Sequence, residues 1–124
     1  MFKLFKKNNK YGLALGSGGF KGFVHIGVIK ALEELGVEIS HLGGSSIGSL
    51  VGGLYSLWGN IEKVEDILLS YNKTKLKDMF KGDIALYKGL FKGESFSQEL
   101  EKYVGNATID DCLIPYVAVS VDID

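Results

Sequence analysis

An open, mostly parallel sheet with flanking helices is the fold class that this 124-residue sequence predicts. Three observations carry the prediction. Short apolar runs at residues 11–15, 39–43 and 116–121 have the length of strands and are punctuated by glycine or by Pro115. Longer segments of helical periodicity separate them, the alternation expected of strands joined by crossovers. The first two runs each pass through a glycine-rich turn directly into a helix.

Size and charge bound what such a fold can do. The length suggests one domain. It can bury roughly two thirds of its unfolded surface, enough for one core but small for a sheet covered on both faces. An incomplete domain is one reading of that size, with residues 1–10 a basic tail and 11–124 the folded portion. A formal net charge of -1 and the lack of a basic stripe argue against a nucleic-acid partner. Cys112 is the single cysteine, so no internal disulfide can form and a reducing, cytoplasmic location fits. In the tail, Phe2, Leu4 and Phe5 stand among Lys3, Lys6, Lys7 and Lys10, with no apolar run of a signal peptide behind them. The tail reads either as a frayed terminus or as a weak peripheral anchor for an anionic membrane surface. So short a segment offers little apolar area, which favours the first.

The elements follow in order. Residues 11–15 form a first strand, which feeds the loop Gly16-Ser17-Gly18-Gly19-Phe20-Lys21-Gly22. Residues 23–35 form a helix whose apolar stripe is Val24, Val28, Ala31 and Leu35, widened by Phe23, Ile26, Ile29 and Leu32, with Gly36 as its stop. After the second strand, residues 47–58 form a helix with Gly48, Gly52 and Ser56 at four-residue intervals, a nearly bare face suited to close packing. At about a dozen residues it falls short of the ~20 that a membrane span needs. Asn60 caps a third helix with Ile61, Val64, Ile67, Leu68 and Tyr71 on one face. Leu76, Met79 and Phe80 repeat the pattern weakly, and residues 81–93 are irregular, suited to a flap or to a loop under the core. Ser95 and Gln98 form a capping box for a helix with Phe96, Leu100, Tyr103 and Val104 inward, ended by Gly105. Residues 108–113 are a short turn or helix ahead of the third strand.

Chemistry concentrates in two glycine-rich places. Gly44, Ser46 and Gly48 make Gly-x-Ser-x-Gly, in which a serine on a tight strand-to-helix turn needs neighbours without side chains. Ser46 is the candidate nucleophile. The loop from Gly16 to Gly22 places backbone amides around a concavity, a ready anion site. As a dinucleotide fingerprint it fails at its third glycine, where Lys21 stands, and it has no Gly-Lys-Ser/Thr of a P-loop. A nucleotide-binding module is accordingly the weakest reading. An oxyanion cradle needs only exposed amides, and Gly18 and Gly19 supply them.

A serine needs a base. Both His25 and His41 precede Ser46, so the order serine, acid, histidine of α/β-hydrolases is unavailable. Both histidines are read as hydrogen-bonded structural residues, and the arrangement points to a Ser-Asp dyad.

Leu13-Ala-Leu-Gly-Ser-Gly-Gly-Phe-Lys-Gly, Val24-His-Ile-Gly-Val-Ile-Lys-Ala-Leu-Glu-Glu-Leu-Gly and Gly44-Ser-Ser-Ile-Gly-Ser-Leu together resemble the opening of a patatin-like phospholipase domain of bacterial type. The resemblance implies a three-layer α/β/α fold and a serine acyl hydrolase acting on lipid esters, with no cofactor or metal. Ser46 matches the family nucleophile, Gly18 and Gly19 the oxyanion amides, and Gly16, Lys21, Gly22, Gly44 and Gly48 the surrounding motif. Ser17 replaces a frequent glycine. The family's dyad aspartate lies in an Asp-Gly pair downstream, and this sequence has no Asp-Gly pair. Asp122 and Asp124 are poor substitutes, because a terminal tail holds a carboxylate loosely. The resemblance therefore implies that residues 11–124 are the N-terminal portion of such a domain, incomplete at its C-terminal end, and the chain alone is expected to be inactive. The rival reading is a non-catalytic fragment or interaction module that self-associates through an unpaired sheet edge.

Overall fold

The computed structural model describes residues 10–70 and 94–121. Residues 1–9 of the expected tail, Tyr71, the pattern at Leu76, Met79 and Phe80, the stretch 81–93, the side chains of Ser95 and Phe96, and Asp122 and Asp124 lie outside the described residues.

Strands β1 (Lys10–Leu15), β2 (Glu38–Ser45) and β3 (Tyr116–Val119) form a parallel sheet in the order β1-β2-β3. A sheet that grows in one direction through right-handed crossovers collects its connecting helices on one face. Those helices are α1 (Val24–Glu34), α2 (Ile47–Trp58), α3 (Ile61–Ser70) and α4 (Glu94–Val104). The core sits on that face, where Leu15 and Leu42 of the sheet meet Ile29 of α1, Val51 of α2 and Val64 of α3. On the opposite face Val117 and Val119 remain 59% and 62% exposed, so the described residues supply two layers of the expected three.

The register of β2 contains one irregularity with a clear physical purpose. Ile39 and Leu42 are both buried although strict alternation would put residues three apart on opposite faces. Tyr11 pairs with Ile39 and Gly12 with His41, leaving Ser40 as the extra residue that restores the pattern. The Ser40 hydroxyl donates to the Tyr11 carbonyl at 3.2 Å. β2 also runs past the expected Gly43, because Gly44 and Ser45 find partners in Ala118 and Val119. That pairing is long-range and invisible to local propensity.

One helix face departs from expectation. In α1 the stripe of Val24, Val28 and Leu35 is exposed, at 64%, 41% and 75%, and Ile26 and Ile29 are the buried pair. The helix carries apolar residues on two sides, so spacing alone leaves its orientation open, and the sheet takes the side with the two isoleucines. Gly36 ends α1 as expected, at φ 70°, with its amide donating to Glu33 O. Lys30 pairs with Glu65 to join α1 to α3, and the Tyr55 hydroxyl donates to Glu33 at 2.6 Å to join α2 to α1. Asn60 caps α3 by accepting from the Lys63 amide at 2.8 Å, and Gly105 at φ 57° closes α4.

Candidate active site

Ser46 occupies the single residue between β2 and α2. Its φ of 52° and ψ of -127° make it the one non-glycine residue with positive φ among the described residues, and its side chain is exposed. Such a conformation is strained for a residue with a Cβ. The glycines on either side explain how the chain reaches it. A Cβ on Gly44 would stand 2.5 Å from the Gly48 carbonyl, and one on Gly48 would stand 2.2 Å from Leu15 O and 2.7 Å from Gly16 O. Backbone therefore packs on backbone, and α2 begins hard against the end of β1.

The same contacts bring in the glycine loop. After Gly18 the expected loop tightens into a 3₁₀ helix at Gly19–Phe23, with the Lys21 amide donating to Gly18 O at 3.1 Å. Gly19 takes φ 52°. A Cβ on Gly22 would fall 2.0 Å from the Ile47 Cγ2, so the loop lies on the residue that follows Ser46. The Ser17 and Ser45 hydroxyls are 3.0 Å apart, and His25 Nε2 donates to Gly16 O at 2.8 Å. Gly16, Gly22, Gly44, Ser46 and Gly48 thus meet at the carboxyl end of β1 and β2, where sites of open α/β sheets gather. Lys21 is exposed on the 3₁₀ turn.

Sequence reasoning passed over the Ile47 amide. As the first helical residue of α2 it has no carbonyl a turn earlier to bond, and it adjoins Ser46. The residue after the serine of a Gly-x-Ser-x-Gly turn is a general oxyanion donor, which was the available signal. Neither imidazole serves Ser46 as a hydrogen-bonded base. The His25 ring bonds Gly16 O, and His41 Nδ1 lies 3.1 Å from the Ser40 hydroxyl.

From Ser46 and Ser49 a cavity of about 430 Å3 runs between Leu50 and Leu57 of α2, Leu100 of α4 and Tyr116 of β3. The Tyr116 hydroxyl donates to Ser49 O at 2.7 Å, and burial outweighs that bond in pushing the phenol's pKa upward. Cys112 also lines the cavity. Burial first, and then the Asp111 charge, push its thiol up, which keeps it protonated and inert at neutral pH.

The patatin-like phospholipase family matches residues 13–123, nearly the whole of the chain. The chain belongs to the patatin-like phospholipase family. Neuropathy target esterase sws of Drosophila grimshawi is 36% identical over 117 residues, covering 93% of this chain and 8% of that protein. The proteins of the same name from Drosophila persimilis and Drosophila melanogaster are 35% and 34% identical over the same coverage. This patatin-like chain spans under a tenth of the length of those relatives. No solved structure matches the chain at a significant level. Membership places the chain in a hydrolase family of lipid esterases and phospholipases, and the loop, helix and serine turn all fall inside the match.

Proposed function

We propose that Ser46 is the nucleophile of a serine acyl hydrolase that cleaves carboxylic esters of lipids through a Ser-Asp dyad. The observation that carries this reading is the exposed Ser46 hydroxyl on a positive-φ turn packed against the Gly16–Gly22 segment. The dyad carboxylate takes the Ser46 proton as Oγ attacks the acyl carbonyl. The amides of Gly18, Gly19 and Ile47 hold the oxyanion that forms. One such donor is worth about 3 kcal/mol. Collapse expels the alcohol, protonated by the aspartic acid, and water then releases the acyl group from Ser46 by the same steps. The apolar cavity beginning at Ser46 suits the acyl chain.

The carboxylate belongs, on this reading, to a part of the domain outside these 124 residues, with residues 11–124 its N-terminal portion. The bacterial type suggested by the motifs, a cytoplasmic setting and peripheral membrane contact are parts of the same proposal. Among the described residues no helix is long and apolar enough to cross a membrane. A fluorophosphonate probe is expected to label Ser46 in protein that carries the dyad aspartate, and Ser46→Ala is expected to abolish labelling. Folded protein that fails to label would discredit the nucleophile. The 124-residue chain alone is expected to show little or no ester turnover, and robust activity lost in Ser46→Ala would overturn the missing base.

A second reading, a non-catalytic interaction module, is favoured by β3, an edge strand among the described residues whose Val117 and Val119 are exposed.

A further inference from the structure

We propose that Ser17, Ser45 and His25 are positioning residues that hold the Gly18 and Gly19 backbone in place against the Ser46 turn. The inference rests on the acyl-hydrolase reading above and adds to it the means by which the oxyanion amides are preorganised. Two adjacent glycines have the widest conformational freedom the chain can offer. Fixing each backbone unit costs roughly 1–2 kcal/mol of entropy, so a glycine pair that must aim its amides needs anchors close by on both sides.

The structure places anchors there. Upstream, the Gly16 carbonyl is held by His25 Nε2 at 2.8 Å from α1. The peptide unit is planar, so a fixed Gly16 C=O also fixes the direction of the Ser17 N–H. One residue on, the Ser17 hydroxyl meets the Ser45 hydroxyl at 3.0 Å, and Ser45 is covalently joined to Ser46. This bond ties loop and turn together next to the candidate nucleophile. Downstream, Gly18 O accepts from the Lys21 amide at 3.1 Å, and Gly22 is seated on Ile47. Gly18 and Gly19 are thus bracketed. A glycine at position 17 could not make the link to Ser45. In this chain the hydroxyl pair replaces conformational freedom with a specific contact.

None of the three residues is asked to touch the reacting atoms. Their effect is on the amides, and preorganised donors stabilise the transition state because they need not reorganise as charge develops. The two hydroxyls act as one unit, so removing either should forfeit the whole effect and removing both should add little.

The test measures loop order and chemistry separately. Backbone 15N order parameters are recorded on the 124-residue chain as wild type, Ser17→Ala, Ser45→Ala, the double variant, His25→Ala and His25→Gln. Gly18 and Gly19 are expected to fall from about 0.85 in the wild type to below about 0.6 in the alanine variants, while Val64 and Leu68 of α3 stay rigid. His25→Gln keeps an N–H donor and is expected to restore much of the order. Retained order at Gly18 and Gly19 in all alanine variants would overturn the proposal. Fluorophosphonate labelling of Ser46, in protein carrying the dyad aspartate, is expected to slow about tenfold in each single alanine variant, no further in the double, and to recover much of its rate in His25→Gln. Loosened glycines with an unchanged labelling rate would equally overturn it. Loosened glycines in a protein whose wild type does not label would support the positioning role and count against acyl transfer instead.

Discussion

At the scale of single residues the main tension is the backbone of Ser46. A residue with a Cβ at φ 52° and ψ -127° carries strain of about 1–3 kcal/mol. Glycine at that position would relieve it, offset by roughly 0.5–1 kcal/mol of extra chain entropy in the unfolded state. Ser46→Gly is therefore expected to be more stable than Ser46→Ala by about 1 kcal/mol, measured as the difference in urea unfolding free energy, because the alanine keeps the strained Cβ. Equal stability would limit the strain to the roughly 0.5–1 kcal/mol that glycine's entropy offsets, and a less stable Ser46→Gly would mean that the turn holds none. The Gly-x-Ser-x-Gly spacing made this turn legible in advance, since only a serine flanked by bare residues can stand there. That His25 is hydrogen-bonded was expected, but the partners of Ser17 and His25 were not legible, because each bond joins residues whose proximity depends on how loop, strand and helix close together.

Among elements, periodicity worked where a segment has one apolar face and failed where it has two. In α3 the buried Ile61, Val64, Ile67 and Leu68 are the residues that helical spacing selects. In α1 the stripe of Val24, Val28 and Leu35 is the exposed one, because the helix offers the sheet an equally apolar alternative. The short 3₁₀ helix Ile109–Asp111 is set by local chemistry. Asp111 Oδ2 accepts from the Thr108 amide at 2.7 Å and from its hydroxyl at 3.0 Å. The amide bond first, then the hydroxyl, lower the Asp111 pKa. A carboxyl whose pKa is depressed in the folded state contributes stability above its unfolded pKa of about 4, and that contribution is lost as pH falls through the folded value. Asp111→Ala is thus expected to lower Tm at neutral pH, with the gap to wild type closing as pH drops below about 4. A gap independent of pH would show that the carboxylate charge plays no part.

For the molecule as a whole, the sheet order and the single-faced core follow from the two strand-loop-helix units, which is why the fold class could be read from sequence. The reach of β2 to Ser45 and the extra residue at Ser40 could not, since both depend on partners distant in the chain. The exposed Val117 and Val119 leave an apolar strand at the edge of the sheet among the described residues. Such an edge invites pairing with another copy. Val119→Lys is expected to change unfolding free energy by less than about 0.5 kcal/mol and to reduce concentration-dependent light scattering. Unchanged scattering would locate any self-association elsewhere.

The approach of Gly48 to Leu15 O and Gly16 O has a thermodynamic meaning of its own. The crest that presents Ser46 is a joint in the frame of the domain, with no hinge between them. A small molecule captured at that crest would be linked to global unfolding, so it would raise the melting temperature of the entire body and not of one flap.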